Sequence, residues 1–332
     1  MPHHAQPLKF LMPGWYAIVM GLTGLTLAWH RATPSMGGLA DTIARGVASL
    51  ALLVFVVLAV ATVVRVLRHP EAWAEDCRHP VRHTFIAALP ISVILLATVA
   101  VTFHGPNPLA LGLWWIGALT QLAVTLWVLA RWLRGNGPGG LQWASATPAL
   151  FIHIVGNVLV PLAGVPLGQA DWSAAQFGIG LMFWPVVMIL IVVRLAVQGL
   201  WPERLLPAAY IFIAPPAVSG LSALQLGAPQ AVAWGLWGMA LFSLLWVGML
   251  TKRIAALPFG LPHWGISFPL AALTALTLRL ATPGSGLAVL GTSLLALTSL
   301  VVMALLLGTV RGLRDGSLLA PEPVATITPV AA

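Results

Sequence analysis

The chain has 332 residues, of which 59% are hydrophobic and only 7% are charged, against about 25% charged in a soluble domain. A water-soluble fold could not cover its surface with so little charge, which excludes a soluble enzyme, a nucleic-acid module and a disordered chain. The net charge of +8 comes from 16 Lys+Arg against 8 Asp+Glu; on so apolar a chain this excess reports loop orientation rather than nucleic-acid binding. The lone Cys77 rules out an internal disulfide and a cysteine-only zinc site.

A membrane helix needs about 20 largely apolar residues. Ten such runs follow one another, at 13–30, 44–67, 84–103, 108–133, 147–167, 173–197, 205–225, 229–250, 262–282 and 286–311. The expected organisation is an all-α integral membrane protein. It has a cytoplasmic segment 1–12, a ten-helix domain 13–311 and a cytoplasmic tail 312–332, whose Pro321, Pro323 and Pro329 suggest disorder. The polar, proline-containing start and the long apolar run behind it do not read as a cleavable signal peptide. Short connections make neighbouring runs antiparallel hairpins, five in all.

Basic residues test the count. With the N-terminus in the cytoplasm, thirteen fall on that side: Lys9; Arg65, Arg68, Arg78 and Arg82; Arg131 and Arg134; Arg194 and Arg204; Lys252 and Arg253; Arg311 and Arg314. Only Arg31, Arg45 and Arg279 fall opposite. The positive-inside rule then places both termini in the cytoplasm.

Proline separates odd spans from even ones. The third holds Pro90, the fifth Pro148 and Pro161, the seventh Pro215 and Pro216, and the ninth Pro269; the first has Gly21 and Gly24 instead. Among even spans only the sixth breaks the pattern, with Pro185. A mid-membrane proline frees a carbonyl and kinks the helix, which is tolerated where protein or a water-filled cavity surrounds it. The kinked odd helices are therefore expected to form an inner ring around a central pore, with the even ones facing lipid. The alternative is that prolines are simply common in membrane helices.

The eight acids, Asp41, Glu71, Glu75, Asp76, Asp171, Glu203, Asp315 and Glu322, all fall in loops, helix ends or the tail. Coupled carriers usually keep an ionisable residue within the membrane, and cation channels use acidic rings. What remains is an uncharged, weakly binding pathway with basic mouths, suited to passive flow of small inorganic or organic anions. Ser92, Asn157, Ser219, Ser267 and Thr274 are candidates to line it; for each, the alternative is helix–helix hydrogen bonding.

Four segments carry a family likeness: PGWYAIVMGLTGLTLAW from Pro13, RHPVRHTFIAALPISVILLA from Arg78, IFIAPPAVSGLSAL from Ile211 and HWGISFPLAAL from His263. They resemble the TehA family of bacterial tellurite-resistance proteins, related to the plant guard-cell slow anion channels and fungal C4-dicarboxylate carriers. The resemblance implies five hairpins around a pore and a homotrimer with one pore per subunit in the inner (plasma) membrane. It also implies a pore-plugging phenylalanine on the ninth helix, carried here onto Phe268. Many bacterial members have glycine where this chain has Pro269; the plant members have proline. The resemblance allows a second function, a proton-linked carrier or exporter of C4-dicarboxylates or sulfite, and tellurite resistance as a consequence of transport.

Other constellations weigh less. Glu75, Asp76, Cys77, His79 and His83 cluster between the second and third spans. The i, i+4 histidines could hold a metal, but Pro80 between them disfavours that helix and favours a loop leading into the third span. His104 and His153 lack acidic partners and read as structural. Arg279 either draws anions to the outer mouth or snorkels to headgroups. Trp114–Trp115 and Phe183–Trp184 read as packing. No metal, cofactor or nucleic acid is expected, and no motif of a membrane-embedded enzyme is present.

Overall fold

A computed structural model describes residues 7–135 and 139–320, where all regular structure is helical. The principal helices are α1 (Ala17–Arg31), α2 (Gly38–Arg68), α3 (Arg82–His104), α4 (Pro108–Trp132), α5 (Leu150–Gly164), α6 (Ala170–Gln198), α7 (Glu203–Gln225), α8 (Gln230–Gly248), α9 (Leu261–Leu280) and α10 (Gly286–Arg314). Their ends follow local rules. Asn107 caps α4 by accepting the Ala110 N–H, with Pro108 at the first helical position, where its missing donor costs nothing. Gly105 and Gly199 stop α3 and α6 at positive φ.

Among the described residues eight of these helices are long and apolar enough to cross a membrane; α1 and α5 are shorter. Both coincide with expected spans, and each is shortened by a visible feature. A 3-10 turn, Pro13–Tyr16, precedes the 15 residues of α1. Pro161 divides α5 into Leu150–Leu159 and Pro161–Gly164. The carbonyls around that break are taken by neighbours: Ser222 of α7 donates to Val158 and Trp114 of α4 to Val160.

Each even helix packs on the odd one before it, and the odd helices also pack on one another. α1 touches α3, α3 touches α5, α5 touches α7, α7 touches α9, and α9 returns to α1. Indoles and hydroxyls tie the layers where lipid would offer polar groups nothing. Trp29 donates to Ser299, Trp237 to Thr277 and Trp264 to Thr309.

At one end, helix Pro70–Arg78 lies between α2 and α3 around a buried ion cluster. Asp76, fully buried, forms an ion pair with Arg65 at 2.7 Å and accepts a hydrogen bond from Arg82 at 2.9 Å. Arg82 also reaches Glu75 at 2.9 Å, and Arg65 donates to the Lys9 carbonyl. The tail departs from expectation over its first part. Helix α10 runs on to Arg314, and a turn at Ser317–Leu319 packs on Pro7–Phe10. Leu318 supplies the apolar contact by lying over Gly312, which a polar linker would not do. Pro321, Pro323 and Pro329 lie outside the described residues, as does Glu322.

Candidate pore

The odd helices share an unusual beginning. α3, α7 and α9 open with 3-10 segments, Arg82–Ala87, Glu203–Ile213 and Leu261–Ile266, as α1 does with Pro13–Tyr16. Prolines sit in or at most of these turns (Pro13, Pro207, Pro262), where the narrower helix asks less of the donors that proline lacks. All four regions, with the chain leading into α5, face one cavity of about 160 Å³. Pro13 and Met20, Arg82 and Ile91, Thr147 and Val155, Arg204 and Ala214, and Leu261 and Phe268 mark its extent along the five.

The wall is apolar except at the mouth, where His79, Arg82 and Arg204 lie; no lining residue is acidic. Arg82 is held by the Asp76 cluster. The His79 Nδ1 accepts the main-chain N–H groups of Val81 and Arg82, at 3.1 and 3.0 Å, so its proton sits on Nε2. Burial, and then the charge of Arg82, bring its pKa down to about 4, leaving a neutral ring at physiological pH. His79 thus closes the turn leading into α3, the role weighed above against a metal.

Phe268 lies at the deep end, 6% exposed, on the first α-helical turn of α9, directly before Pro269. Gly24 of α1 makes room for it, and Gly21 for the neighbouring Ser267 and Trp264. A methyl at Gly24 would stand 3.1 Å from the Phe268 ring and 3.0 Å from the Ala271 Cβ; at Gly21 it would collide with the Ser267 Oγ at 2.2 Å. These glycines are a close approach between α1 and α9.

The other candidates are dispersed. The Pro90 carbonyl faces Gly117 of α4, while Pro215 and Pro216 are buried in the first α-helical turn of α7, directly after its 3-10 segment. Ser92 donates to the Ala88 carbonyl and, at 3.4 Å, to that of Tyr16. Ser267 donates to Trp264, and Thr274 bonds Leu270 and Thr298 of α10. Asn157 is a hub between layers: its amide reaches Thr125 at 2.8 Å and the His153 carbonyl at 2.9 Å, and its oxygen accepts from Gln176 at 3.0 Å. Ser219 alone of the five is buried with an unpartnered hydroxyl. Arg279 is exposed at the far end of α9. Reading by helix position expected basic mouths but assigned no residues to this one: Arg82 and Arg204 entered only the orientation count, and His79 only the weighing of a metal against a loop. The signal available was their place directly before inner helices.

The geometry can be set beside known proteins. The family model described as "Voltage-dependent anion channel", SLAC1, matches residues 11–310. The chain belongs to the SLAC1 family. It is a multi-pass membrane protein of a channel family, not of an enzyme class. It is similar to the S-type anion channel SLAH2 of Arabidopsis thaliana, 25% identical over 77% of this chain and 50% of that protein. It is also similar to the tellurite resistance protein TehA homolog of Haemophilus influenzae, 26% identical over 79% of each. A third relative is the sulfite efflux pump SSU1 of Trichophyton rubrum, 24% identical over 81% of each. The chain spans about half the length of the plant relatives it matches. The family match extends from the first 3-10 turns through α10, and so includes every element that lines the cavity.

Proposed function

We propose that this SLAC1-family protein is a passive anion channel. Its pore runs between α1, α3, α5, α7 and α9, and Phe268 closes it. The observation that carries the reading is the cavity itself: all five odd helices contribute to its wall, Arg82 and Arg204 lie on it, no described lining residue is a carboxylate, and Phe268 is part of it. A wall that binds anions weakly releases them readily. The ring closes the path by filling it and by dewetting it, so that an ion would shed water without replacement ligands. In this reading all ten helices cross the membrane as five hairpins, both termini lie in the cytoplasm, and three copies assemble in the inner membrane, each with its own pore.

The test is Phe268→Ala in proteoliposomes. Anion current should rise about tenfold or more, the equivalent of ~1.4 kcal/mol off the barrier, with the order of anions little changed; Phe268→Leu should give less. A folded Phe268→Ala protein that conducts like the wild type overturns the gate. A reversal potential at the cation equilibrium value overturns the anion pathway.

A second reading, an exporter, is favoured by the relative named as a sulfite efflux pump, and a part in tellurite resistance by the TehA homolog; proton linkage and the C4-dicarboxylate role rest on the family resemblance alone. Against coupling, no carboxylate lies inside a described inner helix beyond its first turn. Uphill sulfite accumulation driven by a pH gradient would establish the carrier.

A further inference from the structure

A second cavity, of about 130 Å³, lies on the same face as the pore mouth but outside it, between the start of α3, the end of α4 and the segment 139–145. The strip His79–His83 separates the two: His79, Val81 and Arg82 line the pore cavity, whereas Arg78, Pro80 and His83 line the second.

Three arginines gather here without an acid. Arg131 donates to main-chain carbonyls, those of Gly139 at 3.1 Å, Cys77 at 2.5 Å and Arg78 at 3.3 Å, and lies over the Trp127 ring at 5.5 Å, with no carboxylate partner among the described residues. Three of its five N–H groups are spent and its charge is left uncompensated. Arg78 lines the cavity and makes no side-chain hydrogen bond or ion pair among the described residues. Arg134 is equally free, its Nη1 within 3.4 Å of where a Cβ on Gly139 would stand. Gly139 has φ +77°, a conformation that favours glycine and keeps that space open. The neighbouring acids Glu75 and Asp76 are already bound to Arg82 and Arg65. Trp132, also on the wall, has a buried indole N–H with no acceptor among the described residues. Two guanidiniums on the wall, a third beside Gly139 at its edge and a spare donor, around a pocket with room for several waters, are the recognition chemistry of a phosphate. On the flank, Leu126 is 61% and Leu133 90% exposed.

We propose that this cavity binds a phosphate group, as the headgroup of an anionic lipid or as free phosphate, beside the pore mouth and separate from it.

Calorimetric titration of the purified full chain in detergent tests this, with dihexanoyl phosphatidylglycerol, dihexanoyl phosphatidylcholine and inorganic phosphate as probes. Phosphatidylglycerol should bind more tightly than phosphatidylcholine if lipid is the source; inorganic phosphate should bind as well as either if it is free phosphate. In both cases the double variant Arg78→Gln/Arg134→Gln, which breaks no contact in the fold, should bind about tenfold more weakly or worse. Trp132→Phe should also weaken binding. Arg311→Gln/Arg314→Gln, which removes the same charge from α10, should not. Equal losses in the two double variants would mean diffuse attraction and overturn the site, as would wild-type binding by Arg78→Gln/Arg134→Gln or no binding of any probe.

Discussion

Helices α2 and α7 are opposites. Over its most apolar stretch α2 is 11% buried, whereas α7 is 89% buried; yet α2 is the more hydrophobic of the two. In water that order would reverse, because burial there follows apolarity. In a bilayer the greasiest helix faces lipid, and the interior collects what lipid rejects: prolines, glycines, hydroxyls and irregular turns. The inner layer is therefore held by shape and by hydrogen bonds, while each outer helix is tied to it along one face and leaves its apolar face to lipid.

Paired substitutions would sharpen or break that contrast. The largest expected effect is steric. Gly21→Val in α1 meets Ser267 at once, whereas Gly46 in α2 has nothing within 4 Å. The first should cost about 1–3 kcal/mol or prevent folding, the second within about 0.5 kcal/mol, read by thermal unfolding in detergent. Equal melting temperatures would mean that the α1–α9 approach carries no strain. Next comes the hub at Asn157. Asn157→Leu leaves Gln176 and Thr125 short of a partner and should cost about 1–2 kcal/mol, while Ser293→Leu on the outer face of α10 should cost almost nothing in the same assay. The smallest effect concerns pH. With its pKa near about 4, His79 stays neutral from about pH 5 to 8, a range in which an unperturbed histidine would titrate. Mouth-side acidification across that range should leave its share of the anion current flat. Only as pH falls through about 4 does the ring gain a positive charge and raise the current. His79→Gln should abolish that rise, and a step near pH 6.5 that vanishes in His79→Gln would contradict the buried geometry.

The layering was legible in the sequence because a proline or a glycine pair is visible at any resolution of reading. Pro90, Pro161, Pro215, Pro216 and Pro269 all fall in helices that pack against other helices. Side-chain direction was not legible. Thr274 and Asn157 sit on inner helices, but their hydrogen bonds go to α10 and to α4 and α6, and no spacing rule distinguishes a lumen-facing hydroxyl from one that zips two layers together. The short forms of α1 and α5 were hidden for a related reason. Apolar run length counts residues, whereas a 3-10 turn or a proline break changes what those residues span. The ion cluster of Arg65, Asp76 and Arg82 escaped notice because it joins residues from three separate elements.

The five inner helices begin around one mouth, and this has a consequence for how anion preference can change. Each helix start carries the positive end of its main-chain dipole, equivalent to about half a positive charge. Arg82 and Arg204 can be exchanged one at a time, each removing a single charge. No side-chain substitution removes the main-chain contribution, and no change of pH titrates it. The sign of the field is thus fixed by the architecture, while the side chains set its strength. Relatives built on this plan are free to alter which negative ion they favour without losing their preference for negative ions.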